Sequence, residues 1–306
     1  MDPLGFDHVP GRRGQLADGG RWPHMLTADS RTIGTRVVFA SLLGFILLGG
    51  ATRPALADPP PASATPGGAS LSEPAALIRL AASTPPTATA AVQILLDETR
   101  LEFDAAGRLS RTDRLVYRID LDDRASDWST SSVSWSPWFQ HRPRLEAQVI
   151  AKSGQVHPLD PATVSEASVP SDDPTTFTDD RALTAPLPAV EVGSIIEEVR
   201  TVRDSALTID AGRTLRLFVA RQMPVRSRRI TVDLPVELAF QYRFEKLSGT
   251  NVERSTSAGR LKIVFTVESP PVLESVDAGL PSDVPRYPAI VLSTGQSWER
   301  VVERYL

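Results

Sequence analysis

The chain has 306 residues, of which 41% are hydrophobic and 23% charged, and its formal net charge is -4. These values are typical of a globular protein with one large domain or two small ones. The slight acidity gives no reason to expect nucleic-acid binding, which usually depends on a concentrated basic face. The absence of cysteine excludes a disulfide framework, a thiolate metal site, a cysteine nucleophile and a lipid-modified N-terminal cysteine.

The N-terminus has the three parts of a secretory signal. Arg31 and Arg36 precede an uncharged apolar run, Val37–Ala51, and Ala55 and Ala57 form an Ala-x-Ala cleavage pattern after it. The run is shorter than the roughly 20 residues of a spanning helix, so cleavage after Ala57 is predicted rather than a permanent anchor. The predicted location is the periplasm or cell envelope, with membrane contact only through an uncleaved signal.

The composition divides the chain into four parts. These are a leader at 1–57, a flexible linker rich in Pro, Ala, Ser and Thr at 58–90, a β domain at 91–290 and the start of a helix at 291–306. The linker composition cannot bury enough apolar surface to offset the entropy lost on ordering. Met25 is a more natural start than Met1, because the residues before Met25 make the basic region of the signal unusually long.

Two short helices are predicted at the borders of the β domain. Leu71–Ala82 has the pattern of a helix that is capped by Ser72 and starts near Pro74. At the C-terminus, Ser297 is a suitable N-cap, and one apolar face follows it at helical spacing. The packing face of that helix consists of Trp298, Val301, Val302 and Tyr305.

From Ala91 onward, apolar and polar residues alternate as they do in strands with one buried face. Polar loops are predicted at Ser171–Arg181 and Ser248–Gly259. About a dozen short strands with almost no helical periodicity predict an all-β fold, an antiparallel β-sandwich. Leu115–Ile119 has this alternation, and the clearest strand patterns lie late in the chain, at Ile230–Leu234, Val236–Phe244 and Leu261–Val267.

The stretch Ser194–Arg203 departs from simple alternation, because Ile195 and Ile196 must point to opposite faces of a strand. Either a bulge near Glu197 or a strand that is covered on both sides explains the pattern. Adjacent side chains on a regular strand face opposite ways. Glu197 and Glu198 are therefore not expected to act as an acid–base pair.

A family resemblance rests on several segments in order. Leu187–Glu197 reads Leu-Pro-x-Val-x-x-Gly-Ser-Ile-Ile-Glu, and it follows Ser134–Pro137 and Ala151–Gly154 and precedes Ser297–Glu299. From Ala91 to its end the chain resembles domain of unknown function 3857. That domain is an exported bacterial domain usually found in front of a transglutaminase-like domain.

The resemblance implies a Cys-His-Asp enzyme domain after the closing helix in related proteins, where the thiolate attacks a carbonyl. This chain has no cysteine, so no catalytic residue can be transferred to it. Two interpretations remain open at this point. The chain is either a stand-alone N-terminal module or the truncated remnant of a two-domain protein.

Few residues outside the leader are candidates for metal chemistry. His141 and His157 could be joined by Glu146 and Asp160 in a zinc site, but their spacing fits no common zinc motif, so surface histidines are favoured. The best calcium candidate is the acidic loop Asp172–Asp180, where local turn hydrogen bonds are the favoured explanation. No metal, cofactor or catalytic residue is therefore assigned.

The only concentration of aromatic residues contains Trp128, Trp135, Trp138 and Phe139. Trp135 is expected in the core. Trp138 and Phe139 lie in a loop after Pro137, where exposed rings could anchor a protein partner or stack on a sugar.

The predicted function is that of an exported, non-catalytic cell-envelope domain with a protein partner. It would dock or position a transglutaminase- or protease-like partner or the substrate of that partner. One alternative is a truncated remnant without activity of its own. The other is a carbohydrate-binding β-sandwich module.

Overall fold

The computed structural model describes residues 70–121, 125–170, 178–208, 212–273, 285–295 and 302. The apolar run of the predicted signal and the cleavage residues Ala55 and Ala57 lie outside these residues. So does most of the predicted C-terminal helix, including Trp298, Val301 and Tyr305. Within the described part of the chain, no helix has the length and apolarity needed to cross a membrane.

Strands dominate the described residues, and the predicted all-β fold class is confirmed. One helix, α1 (Pro74–Ala82), precedes them. The strands are β1 (Val92–Phe103), β2 (Leu109–Ile119), β3 (Thr130–Trp135), β4 (Arg144–Ile150), β5 (Val156–Pro158), β6 (Ser165–Ser168), β7 (Arg181–Pro186), β8 (Ile195–Arg203), β9 (Thr214–Phe218), β10 (Ser227–Pro235), β11 (Gln241–Glu245), β12 (Asn251–Ser257), β13 (Arg260–Glu268) and β14 (Ala289–Ser293).

The strands form one large sheet and two small ones. The large sheet has the order β12-β13-β10-β1-β2-β8-β4-β5, and the small sheets have the orders β11-β14-β9 and β3-β7-β6. Neighbouring strands are antiparallel except β1 and β10, which pair in parallel at the centre of the large sheet. A parallel pair needs a long crossover. Here the chain between β1 and β10 runs through strands of all three sheets.

A bulge in β1 decides which residues of that strand face the core. The register against β2 shifts between Ile94 and Leu96, so the extra residue is Leu95. As a result, Ile94 and Asp97 lie opposite Tyr117 and Leu115, and their side chains point to the same face of the sheet. Without the bulge, Asp97 would point to the opposite face.

The two small sheets cover one face of the large sheet and bury two apolar clusters. Near β10 and β13, the buried residues include Val232 and Phe265, which pack in one cluster with Leu217 of β9 and Ile290 of β14. A second cluster forms farther along the sheet, at β2, β4 and β8. It comprises Val92, Ile94, Leu115, Tyr117, Ile119, Ala147, Val149, Leu159, Ala185, Leu187, Ile196 and Val225.

Helix α1 packs on the opposite face of the large sheet. Its buried residues Leu77 and Ala81 contact a cluster that includes Leu95, Val116 and Ile195. The predicted helix start near Pro74 is confirmed. The prediction of a flexible linker over 58–90 was wrong for the residues of α1, because this helix buries apolar surface against the sheet.

Strand β8 is therefore covered on both sides. Ile195 belongs to the cluster under α1, and Ile196 belongs to the cluster under the β3-β7-β6 sheet. The pairing of β8 with β2 and β4 shows no register shift. Of the two explanations for the adjacent isoleucines, the strand with two buried faces is correct, and a bulge near Glu197 is not present.

Two predicted loop and strand assignments were wrong. Asn251–Ser257 is strand β12 rather than part of a polar loop, and it pairs with β13 through a tight turn at Ala258 and Gly259. Both turn residues have positive φ, 49° and 72°, as in a type I′ hairpin. β12 is an exposed edge strand without apolar alternation. In the predicted strand Val236–Phe244, only the end, from Gln241, is extended.

Replacing Leu77 by Ala is expected to lower the free energy of unfolding by about 2–4 kcal/mol, because a buried leucine leaves a cavity. The Leu77 residue is 1% exposed, whereas the neighbouring Ile78 is 43% exposed. Ile78→Ala should therefore cost only about 0.5 kcal/mol or less. Urea unfolding followed by tryptophan fluorescence measures both, and equal costs at the two positions would contradict the docking of α1.

Candidate functional site

Trp138 and Phe139 lie in a turn between β3 and β4. The backbone amides of Phe139 and Gln140 both donate to the Ser136 carbonyl, and the Ser136 amide donates to the Gln140 side chain. These bonds fix the turn. The Trp138 residue is 56% exposed, and its ring centroid is 4.5 Å from that of Phe139. The turn therefore presents the Trp138 ring to solvent, and the half-buried Phe139 ring lies against it.

The other aromatic residues of this region are structural. Trp135 is 5% exposed and packs with Val133 and Leu183, as expected for a core residue. The ring centroid of Trp128 is 4.9 Å from that of Tyr117 in the second apolar cluster. Of Trp128, Trp135 and Trp138, only Trp138 is exposed to a partner.

The adjacent carboxylates of β8 serve opposite faces of the large sheet. Glu197 is 0% exposed and faces α1, whereas Glu198 is 3% exposed and faces the small sheets. The prediction that they do not form an acid–base pair is confirmed by their separate hydrogen-bond partners. Each carboxylate organises its own polar network.

Glu197 holds the segment that leads into α1. Its Oε1 accepts hydrogen bonds from Ser72 Oγ at 2.7 Å and Arg114 Nε at 2.7 Å. Its Oε2 accepts from the Ser72 amide at 2.8 Å and from Gln148 Nε2 at 2.8 Å. Burial raises the pKa of the Glu197 carboxyl, but the hydrogen bonds outweigh this effect and leave the pKa below its usual value.

This network corrects the predicted role of Ser72. Glu73, not Ser72, is the N-cap of α1, and its side chain makes no capping bond. Ser72 instead binds the Glu197 carboxylate with its amide and hydroxyl, and its carbonyl accepts from Gln148 Nε2 at 2.7 Å. The helix is thus fixed to the sheet through the residue two positions before its first turn.

Glu198 lies in the network on the opposite face. Tyr117 Oη donates to Glu198 Oε1 at 2.8 Å, and Ser131 and Arg200 donate to Oε2. Burial, together with the negative charge of Glu198, raises the pKa of Tyr117 well above its usual value. The phenol therefore remains a hydrogen-bond donor. Ser131 is 0% exposed, so its hydroxyl is enclosed rather than presented to a substrate.

A belt of charged side chains continues from Glu198 across the same face, between the two apolar clusters. Asp97 binds Arg228 Nη1 at 2.5 Å and Arg221 Nε at 2.7 Å. Burial raises the pKa of the Asp97 carboxyl, but the two guanidinium groups outweigh it and leave the pKa below its usual value. Asp113 pairs with Arg111 in the same way, at 2.7 Å. Each of these carboxylates has a guanidinium partner.

The residues considered for metal binding do not come together. The Asp160 side chain accepts from the Ala162 amide, and Glu146 pairs with Arg144 at 2.6 Å. Across the described ranges, no group of three or more His, Cys, Asp and Glu side chains could hold a metal ion. Most of the acidic loop from Asp172 lies outside these ranges. Val302, from the predicted C-terminal packing face, is described and is 52% exposed.

The structure adds a second aromatic surface that the sequence pattern did not reveal. Phe240, Tyr242 and Phe244 form an aromatic edge patch along β11, and Tyr242 and Phe244 are 42% and 38% exposed. Their ring centroids lie 5.0 Å and 6.1 Å from that of the buried Phe265. Alternation predicted a buried face here. Because β11 is the edge strand of its sheet, that face is only partly covered.

A family model described as "Domain of Unknown Function with solved-structure structure (DUF3857)" matches residues 105–274. The crystal structure of a "putative protease" from Parabacteroides distasonis superposes with a TM-score of 0.59 and 14% identity, over 69% of this chain and 41% of that chain. This likeness shows the fold. The crystal structure of an M1 zinc metallopeptidase from Deinococcus radiodurans aligns with 66% of this chain over 42% of its own length, at 11% identity and a TM-score of 0.33. No curated protein matches the chain.

Glu197→Gln is expected to lower the free energy of unfolding at neutral pH by about 1–3 kcal/mol, because Arg114 loses its buried counter-ion. The folded-state pKa of Glu197, like that of Asp97, lies below the unfolded value. The stability from such groups is complete above about pH 4 and is lost as the pH falls through the folded pKa. The variant should therefore show a shallower loss of stability in acid.

Denaturant unfolding of the protein at a series of pH values measures this slope. Glu253→Gln is the matched control, since Glu253 lies exposed on the edge strand β12. It should leave both the neutral stability and the acid slope unchanged. Identical acid slopes for the natural protein and Glu197→Gln would show that this carboxylate does not contribute to the pH dependence of stability.

Proposed function

The chain belongs to the DUF3857 family, and from that membership we propose that it is an exported, non-catalytic domain that docks or positions a transglutaminase- or protease-like partner in the cell envelope. The solved structure from Parabacteroides distasonis carries a protease description, and this chain aligns with 41% of that protein. An accessory domain beside an enzyme domain is consistent with that partial coverage. The basic, apolar and small-residue parts of the N-terminal segment support export.

The exposed Trp138 in the turn between β3 and β4, which packs on the half-buried Phe139, is the observation that carries the docking role. Tryptophan contributes large buried area at the centre of protein interfaces, and it is enriched among the residues that dominate binding energy. Trp138 is the most exposed large hydrophobic residue of the described part of the chain, and its turn is already ordered by hydrogen bonds. A preformed turn loses little entropy when a partner binds.

The internal networks support a non-catalytic role. In the charged belt, arginines hold the carboxylates of Asp97 and Asp113, and the pKa values of these carboxylates lie below their usual range. Both carboxylates are therefore poor proton donors and acceptors near neutral pH. The carboxylates of β8 bind hydroxyl, amide and guanidinium groups of their own sheet and of the segment before α1. Such groups stabilise the domain, while the partner would contribute the chemistry.

The same exposed tryptophan favours a second candidate function, the binding of a sugar ring. Aromatic faces stack on the apolar faces of sugars. The two functions differ in their ligand. A protein partner would be captured by crosslinking from the turn, whereas a glycan would be retained in a pull-down that Trp138→Ala abolishes.

Crosslinking in the cell envelope tests the proposal. A photo-reactive amino acid at position 138 of the full chain is expected to capture a protein with a transglutaminase- or protease-like domain, because the docking surface buries this position. The matched control is position 156, since Val156 is also exposed but lies on the edge strand β5. Equal capture from both positions, or capture from neither, would contradict docking through the turn.

A further inference from the structure

An open pocket of about 370 Å³ lies beside the C-terminal end of α1. Three parts of the fold meet there: the residues after α1, the start of β1 and the segments that flank β10 and β13. The polar side chains that line the pocket include Thr84, Gln93, Arg226 and Ser269. None of these residues belongs to the networks around Glu197 and Glu198.

Arg226 is held firmly in this pocket. Its amide donates to the Ile94 carbonyl at 2.8 Å, and its carbonyl accepts from the Ser269 amide at 2.7 Å. One end of its guanidinium group, Nη1, donates to Ser83 Oγ at 2.6 Å and to Thr84 Oγ1 at 2.8 Å. The side chain is thus oriented before any ligand arrives, which lowers the entropic cost of binding.

The other donors of Arg226 have no acceptor among the described residues. Within the described ranges, Nε and Nη2 of Arg226 donate to no protein acceptor, and no carboxylate forms an ion pair with this guanidinium. The arginines that face the interior nearby differ in this respect. Arg118 pairs with Asp120, and Arg228 pairs with Asp97. Arg226 is therefore a positive charge without a carboxylate partner among the described residues.

Gln93 adds a second donor. Its Oε1 accepts from Arg118 Nη2 at 2.9 Å, and this bond assigns the orientation of the amide. The Nε2 group then carries two hydrogens that no described acceptor receives. Gln93 and Arg226 line the same pocket. An acceptor that bridges the two would satisfy both sets of donors.

The remaining walls are apolar. They are formed by Pro85, Pro224, Val225, Pro270 and Val272. A volume of this order is at the lower end of small-molecule sites, where a few polar groups fix the orientation of a largely apolar ligand. One guanidinium matches one negative charge, and its fork of N–H groups fits the two oxygens of a carboxylate.

We propose that this pocket binds a small monocarboxylate with an apolar body, such as the C-terminal residue of a peptide. The carboxylate accepts from Arg226 and Gln93, and the body contacts the proline and valine walls. The inference is independent of the proposed docking function.

Titration of the full chain with N-acetylalanine, followed by calorimetry, tests the proposal. Arg226→Gln is expected to weaken binding about tenfold or more, since it removes a charge-assisted hydrogen bond. Arg254→Gln, which removes the same charge from the exposed edge strand β12, should leave the affinity unchanged. N-acetylalanine amide and inorganic phosphate should both bind more weakly than N-acetylalanine.

A second pair of variants separates binding from folding, because Arg226 also contacts the end of α1. Val272 is 46% exposed at the pocket wall. Val272→Asp should weaken the binding of N-acetylalanine, and Val272→Lys should strengthen it, without a change in the contacts of α1. No measurable binding of N-acetylalanine, equal affinity in Arg226→Gln, or tighter binding of phosphate would overturn the proposal.

Discussion

The carboxylate of Glu197 is the interaction on which the arrangement of the domain depends. A buried charge is stable only where partners replace its lost hydration, and Glu197 obtains them from Ser72, Arg114 and Gln148. These partners come from three separate parts of the chain. By binding Ser72, strand β8 fixes the start of α1, and α1 in turn covers the part of the opposite face of the large sheet that is formed by β1, β2, β4 and β8.

The sequence predicted the strands well wherever one face is buried and the other exposed, as in β10 and β13. It failed where tertiary contacts replace alternation. β12 carries almost no apolar residues, because an edge strand with two solvated faces needs none. Ser72 looked like a helix cap because a local motif cannot reveal a carboxylate that lies 125 residues away. The adjacent isoleucines of β8, in contrast, correctly indicated two covered faces.

Of the candidate sites, too, the sequence could predict only those that depend on local residues. Trp138 and Phe139 could be found from the sequence, because prolines placed them in a loop. The aromatic edge patch on β11 and the pocket at Arg226 could not, since both depend on which segments become neighbours in the folded chain. Among the described residues, the buried carboxylates Asp97, Glu197 and Glu198 are paired with arginines, whereas the guanidinium of Arg226 has no carboxylate partner.

Hydrogen–deuterium exchange of the full chain shows whether α1 is docked on the sheet. If Glu197 holds α1 against the sheet, the amides of Pro74–Ala82 that are bonded within the helix should be protected nearly as well as those of β8. Helices this short are marginal in isolation, so protection requires docking. Exchange of these amides at the rate of an unfolded peptide, with β8 still protected, would contradict the account.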